Sequence, residues 1–155
     1  MSHSQSQIAI DPALSFGLNF DSRDLFANQQ GRMTSRQVRL LRDKRRNQST
    51  SPSILGRIVG GMFYMIYGVS PQRHQWNQIG ADITATMTHH QHGQVTLPQS
   101  ISKKEKSIPH ASYQITINHQ SYKVDRRALR SFRHHETYTV YYAPHSKHAL
   151  SAEVN

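Results

Sequence analysis

Residues Ile54–Val69 read ILGRIVGGMFYMIYGV, the one stretch in which apolar residues run on without polar alternation. A strongly basic arm precedes it and a segment with two-residue periodicity follows, so its reading decides the fold. As a membrane segment it anchors the chain; as a buried helix or strand it fills the core of a soluble protein. A spanning helix needs about 20 apolar residues to cross roughly 30 Å of hydrocarbon. This stretch is shorter and contains Arg57, whose stem can carry the charge back to head-group level. Gly56, Gly60, Gly61 and Gly68 each weaken a helix in water by up to about 1 kcal/mol, whereas lipid tolerates them and close helix approach uses them. The anchor side chains would be Ile54, Leu55, Ile58, Val59, Met62, Phe63, Met65, Ile66 and Val69.

The flanks favour the membrane reading. Arg73 is the only Lys or Arg from Ser70 until Lys103, while cations crowd the other side. Tyr64, Tyr67 and Trp76 suit the interface between lipid and water. For a single span, the positive-inside rule puts the N-terminus in the cytoplasm. The N-terminal residues themselves lack a basic start, a long apolar run and a small-residue cleavage site, so they do not read as a secretory signal.

Working outward, residues 47–53 form a polar linker with Pro52, and residues 21–46 read as a basic helical arm. Asp21 or Ser22 can cap a first short helix, and Gly31 can end it in the left-handed conformation. Thr34 and Gln37 have capping-box spacing ahead of a second helix with Val38 and Leu41 on one side. Arg32, Arg36, Arg39, Arg42, Lys44, Arg45 and Arg46 make this arm a candidate contact for an anionic lipid surface, at roughly 1 kcal/mol per nearby cation. A helix-turn-helix entering a DNA groove is the competing reading, weakened by the short first helix and the small core that Val38, Leu40 and Leu41 offer. Residues 1–20 read as a flexible tail interrupted by Pro12 and Gly17, or as a tail docking Ile8, Ile10, Leu14, Phe16, Leu18 and Phe20.

On the other side, residues 70–81 read as a polar loop opened by Ser70-Pro71, and residues 82–155 as a β-domain. Ile83, Ala85 and Met87 alternate with threonines, then His89–Gly93 make a loop and Val95 and Leu97 resume the alternation, the pattern of a hairpin. A charged loop over 98–111 follows. A second hairpin places Tyr113, Ile115 and Ile117 on one face; with His119-Gln120 as its turn, Ile117 falls opposite Tyr122 and Ile115 opposite Val124. Asp125 can cap a short helix, RRALRSF, that turns Ala128, Leu129 and Phe132 toward the sheet. Thr137–Ala143 is a strand with Tyr138, Val140 and Tyr142 inward and Tyr141 outward. Ala149–Val154 is a last strand carrying Leu150, Ala152 and Val154. The expected fold class is α+β: basic N-terminal helices, one short apolar helix, and a small antiparallel sheet or partly open barrel of about six strands with one short helix.

Composition bounds the function. Hydrophobic residues are 35% of the 155, below the usual globular share of roughly 45–50%, so one small domain with appendages is expected. A net charge of +10 before counting eleven histidines suits anionic partners. The absence of cysteine excludes disulfides, cysteine-ligated zinc and thiol catalysis. His89, His90 and His92 lack a nearby carboxylate to orient a metal ligand, and His134-His135-Glu136 lacks the further histidine, at Thr139, that a zincin motif needs. The acidic residues form no close pair, and Gly60-Gly61 has no Lys-Ser or Lys-Thr after it. No enzyme, cofactor, metal or small-molecule substrate is expected.

Tyr141 to Pro144, Ser146 and Leu150 to Glu153 form a Tyr-Tyr-Ala-Pro, Ser, Leu-Ser-Ala-Glu pattern. It resembles the end of a group of small, uncharacterised bacterial membrane proteins. Asn28, Gly31, Ser35 and Gln37 match their N-terminal segment. The resemblance covers both ends of the chain and implies a hydrophobic hairpin between them, shortened here to residues 54–69. Together these readings make the expected function a non-enzymatic, membrane-associated interaction module or accessory subunit of a membrane complex. The partner would be an anionic membrane surface or a membrane protein complex. The alternative is a soluble, cytoplasmic, basic nucleic-acid-binding protein.

Overall fold

The computed structural model describes residues 10–49, 71–98 and 113–154; the apolar stretch Ile54–Val69 lies outside them. The chain is an α+β fold in which short helices pack on a five-stranded antiparallel sheet. Helix α1 (Pro12–Leu18) replaces the expected interruption at Pro12 and Gly17. Pro12 sits at the first helical position, where its missing N–H costs nothing. Asp11 accepts from the Ala13 and Leu14 amides at 2.7 and 3.2 Å. Asn19 closes the helix in the left-handed conformation. Leu14 and Phe20 are buried in the main core, so the segment 12–20 docks on its own domain.

Helix α2 (Ser22–Gln29) has a capping box made by Asp21 and Asp24. Gly31 follows with φ +75°, the conformation a glycine adopts without steric cost. Helix α3 (Ser35–Ser49) opens on the Thr34–Gln37 capping box: the Thr34 amide donates to Gln37 Oε1 and the Gln37 amide to Thr34 Oγ1, both at 3.2 Å.

Helix α4 (Pro71–Ala85) is the main departure from the sequence reading. The loop expected at 70–81 and the strand expected from Asp82 to Thr88 form this one helix and its exit. Pro71 takes the first helical position, as Pro12 does in α1. Ile79, Asp82 and Ile83 stand at i, i+3 and i+4, the spacing of one helix face; Ile79 and Asp82 are fully buried. Of the threonines that suggested a strand, Thr84 and Thr86 are exposed, with Thr84 donating back to the Gly80 carbonyl at 3.1 Å, while Thr88 is buried.

Strand β1 (His89–Thr96) therefore runs through the expected His89–Gly93 loop. It lies at the centre of the sheet, between β2 (Tyr113–Ile117) with β3 (Gln120–Val124) on one side and β4 (Thr137–Tyr142) with β5 (Ala149–Val154) on the other. Its first part pairs with β4, from His89↔Tyr142 to Gln94↔Thr137; its end pairs with β2 through Val95↔Ile117 and Thr96↔Thr116. Gly93 stands at the crossover between the two partners. A Cβ there would come within 2.7 Å of Asn118 Oδ1 and 2.9 Å of Ile117 Cγ2, so only glycine lets the β2–β3 turn close on β1.

The β2–β3 turn is Asn118-His119, both with positive φ (48° and 65°), the backbone of a type I′ turn. The pairs are Ile117↔Gln120, Ile115↔Tyr122 and Tyr113↔Val124. This register is two residues from the expected one, and because the slip is even it keeps Tyr113, Ile115, Ile117, Tyr122 and Val124 on the buried face. Helix α5 (Arg126–Leu129) buries Ala128 and Leu129, with Phe132 beside them. Tyr141, expected outward, is 6% exposed, because α1 and α2 pack over the β5 edge; its hydroxyl donates to Glu153 at 2.6 Å. Burial pushes its pKa upward, and the Glu153 carboxylate adds to the shift.

The sheet curls without closing. A parallel bridge joins Lys123 to His148, and the Lys123 amide donates to the Lys147 carbonyl at 2.7 Å. Under this seam the Tyr122 and Tyr142 rings meet at 4.6 Å. The main core lies between the sheet, α1, α2 and α5. A smaller core joins α3 and α4 to the sheet through Met33, Leu41, Ile79, Ala143 and Leu150.

Candidate anion-facing surface

Helices α3 and α4 form an antiparallel pair. At its base, the Met33 amide donates to the Thr86 carbonyl at 2.9 Å and the Thr88 amide to the Gly31 carbonyl at 3.0 Å. Farther along, Leu41 meets Ile79 in the smaller core. Beyond that, the Arg45 guanidinium lies 3.5 Å from the Trp76 ring centroid, and its atoms would sit 3.1 Å from a Cβ placed on Gly80. Late positions of α3 thus face early positions of α4. From Arg45 and Trp76 each helix continues at about 1.5 Å per residue, so Ser49 and Pro71 leave the pair at the same end.

The pair is fastened to the sheet by Asp82. Its buried carboxylate accepts from the His145 and Ser146 amides, both at 2.8 Å, in the β4–β5 connection. Beside it Asn28 Nδ2 donates to Ser151 Oγ at 2.6 Å, and Thr88 Oγ1 donates to the Asn28 carbonyl at 3.1 Å. These polar residues hold α2, α4 and β5 in one arrangement.

The cations proposed from sequence divide by role. Arg36 bridges Asp21 and Asp24 at 3.0 and 2.9 Å and donates to Asn19 Oδ1. The Asp24 amide, followed by the Arg23 amide and then the Arg36 and Arg23 charges, holds the Asp21 carboxyl below its ordinary range despite some burial. Arg32 donates to Gln30. Lys44 pairs with Asp125 at 3.0 Å and so ties α3 to the start of α5. Arg45 stacks on Trp76. Arg39, Arg42 and Arg46 lie on the exposed side of α3, and Arg39 and Arg42 pair with no described residue. Trp76, at 38% exposure, stands near the same end of the pair.

A second basic group, not singled out from sequence, comes from the β-domain. Lys123, Lys147 and His148 meet at the seam of the sheet close to Lys44. Lys147 Nζ lies 4.7 Å from the Tyr142 ring centroid. Burial lowers the Lys123 pKa. Burial also pushes the His148 imidazole down to about 3, helped by Lys44 and Lys123, so it stays neutral. Arg126, Arg127 and Arg130 lie next to the Lys44–Asp125 pair on and after α5. The sequence signal for the three arginines of this group is the run RRALR.

His89, His90 and His92 stand on strand β1 rather than in a loop. His89 and His90 pack against Tyr142 and Tyr141, and His92 Nδ1 is 3.2 Å from Thr139 Oγ1. Among the described residues no three His, Asp or Glu side chains converge on one point, and no helix is long and apolar enough to cross a membrane. The proposed anchor residues Ile54–Val69 lie outside the described residues. No family model, no curated protein and no solved structure matches this chain.

Proposed function

We propose that this chain is a non-enzymatic, membrane-associated interaction module, an accessory subunit that meets an anionic membrane surface through the free end of the α3–α4 pair. The observation that carries this reading is the antiparallel pairing itself. It brings both flanks of the apolar stretch out together, next to Arg42, Arg45, Arg46 and Trp76. Helices in contact have axes about 8–10 Å apart, whereas a single crossing separates its ends by roughly 30 Å of hydrocarbon. Flanks that leave from one end therefore favour insertion from one side over a single pass. Exposed arginines around that point match a surface of anionic head groups, and tryptophan matches the head-group level.

Co-sedimentation with vesicles tests the reading. The full chain should bind vesicles containing anionic lipid more tightly than pure phosphatidylcholine, and should weaken as salt rises. Replacing both Arg39 and Arg42 by Gln should cost about thirtyfold in partition, at about 1 kcal/mol per cation. A protein that stays in solution with anionic vesicles at low salt ends the proposal. A salt-sensitive gel shift with DNA or RNA, lost with the same two arginines, would move the assignment to the nucleic-acid-binding alternative.

A further inference from the structure

Helices α1 and α5 enclose an open cleft of about 600 Å³ lined by Ala13, Phe16, Arg126, Arg127, Arg130 and Ser131. That volume lies within the range of about 300–1,000 Å³ usual for small-molecule sites. Its lining holds three guanidinium groups and a hydroxyl but no carboxylate. Asp125, next to Arg126 in sequence, is turned to Lys44, and Asp11 caps α1 through the Ala13 and Leu14 amides. The floor is set by a close helix contact: a Cβ on Gly17 would come within 2.9 Å of Ser131 Cβ and 3.1 Å of Ala128 Cα. Phe16 also lines the cleft and leaves 68% of its surface in water. Arg127 is already held 4.8 Å from the Phe16 ring centroid, a cation attracted to an aromatic face.

We propose that this cleft binds a phosphomonoester that carries an apolar or aromatic substituent. A phosphomonoester brings about −1.5 to −2 charge and three strong acceptor oxygens, which suits a lining of three guanidinium groups. The substituent covers the surface of Phe16 that Arg127 leaves in water. Such a ligand comes from solution or from a lipid head group, and the chemistry at the cleft is the same. The cleft lies between α1 and α5, and its occupancy by a soluble ligand needs no membrane.

Calorimetric titration of the full chain at low ionic strength, with phenyl phosphate and inorganic phosphate as probes, tests the site. Phenyl phosphate should bind at least about tenfold more tightly than inorganic phosphate. The double variant Arg127→Gln/Arg130→Gln should lose at least about tenfold in affinity, the loss of one charged hydrogen-bonded contact or more. Phe16→Ala should abolish the preference for the phenyl group while retaining weak phosphate binding. Arg23→Gln/Arg133→Gln removes the same charge elsewhere on the surface and should leave binding unchanged; far-UV circular dichroism checks that each variant is folded. Vesicles containing phosphatidic acid identify the source: competition by them for phenyl phosphate assigns a lipid ligand, and its absence assigns a soluble one. No binding of phenyl phosphate at millimolar concentration, no preference over inorganic phosphate, or an equal loss in the Arg23/Arg133 variant overturns the proposal.

Discussion

Replacing Asp82 by Ala removes the acceptor that joins the helical pair to the sheet. The carboxylate is fully buried and takes the His145 and Ser146 amides at 2.8 Å each. Ala leaves both N–H groups without this partner, the Ser146 amide in a buried site and the His145 amide in a partly buried one. At about 1–3 kcal/mol for each such donor, the loss is about 2–6 kcal/mol, a large share of a stability of about 5–15 kcal/mol. Asp82→Asn keeps one carbonyl acceptor but turns an amide NH₂ toward the second donor, and should cost about half as much. Urea unfolding provides the assay, with two probes. Far-UV circular dichroism follows the whole fold, and the fluorescence of Trp76, the only tryptophan, follows α4. The midpoint should fall in both signals without a change in m. A Trp76 transition that precedes the other would mean that the hairpin detaches from a sheet that still stands. A stability for Asp82→Ala within about 0.5 kcal/mol of the parent, the range of an ordinary surface change, would refute the clamp.

Leu41→Ala should cost about 2–5 kcal/mol in the same assay, because Leu41 is 1% exposed between α3, α4 and the sheet; a smaller loss would show that the two helices are not held by this core. Gly17→Ala should destabilise by about 1–3 kcal/mol, since the added methyl overlaps Ser131 and the α5 backbone, and Ser131→Gly should restore part of that loss. His119→Gly should stabilise by about 1 kcal/mol, because His119 carries φ 65° in the β2–β3 turn and Asn-Gly is the preferred pair there; an unchanged midpoint would count against the turn. His148 gives a pH dependence. Its folded pKa of about 3 lies below the ordinary 6.5, so the unfolded chain binds the extra proton first. Its contribution is complete above pH 6.5 and is lost as pH falls toward 3, with a slope of up to about 1.4 kcal/mol per pH unit. His148→Gln should flatten that part of the stability profile, and an unchanged profile would remove His148 as its cause.

The C-terminal half was legible where side chains alternate against a single buried face. Strands β2 to β5 and the short α5 follow from periodicity and the Thr34–Gln37 cap from capping chemistry, whereas Asp125, expected to cap α5 with its side chain, makes no such bond and pairs with Lys44 instead. The two-residue error in the β2–β3 register has a physical origin: an even slip leaves every side chain on its own face, so hydrophobic alternation cannot detect it. Only the left-handed turn at Asn118-His119 distinguishes the registers, and histidine is an uncommon residue there. Helix α4 was hidden because Ile79, Asp82 and Ile83 form a narrow face on an otherwise polar helix, while Ile83, Ala85 and Met87 happen to alternate. Its key buried residue is a carboxylate, which no apolar pattern marks. Strand β1 was missed in its first half because its histidines and glutamine pair through the backbone and need no apolar side. The arm's cations were legible as a group but not by role, since the partners of Arg36 and Lys44 are set by tertiary packing. The α1–α5 cleft was not legible, because it joins Phe16 to arginines more than a hundred positions away.

The convergence of Ser49 and Pro71 makes residues 50–70 a cassette within a closed frame. Among the described residues, those that form the sheet, the two cores and the α1–α5 cleft lie on either side of it. Exchange for a short Gly-Ser bridge of about six residues would change the closure entropy by only about 1 kcal/mol, with the sign in favour of the shorter loop. The same geometry accepts a much longer segment at similar cost. A chain built this way can gain, shorten or lose what it carries at the end of the helical pair while its folded body stays the same.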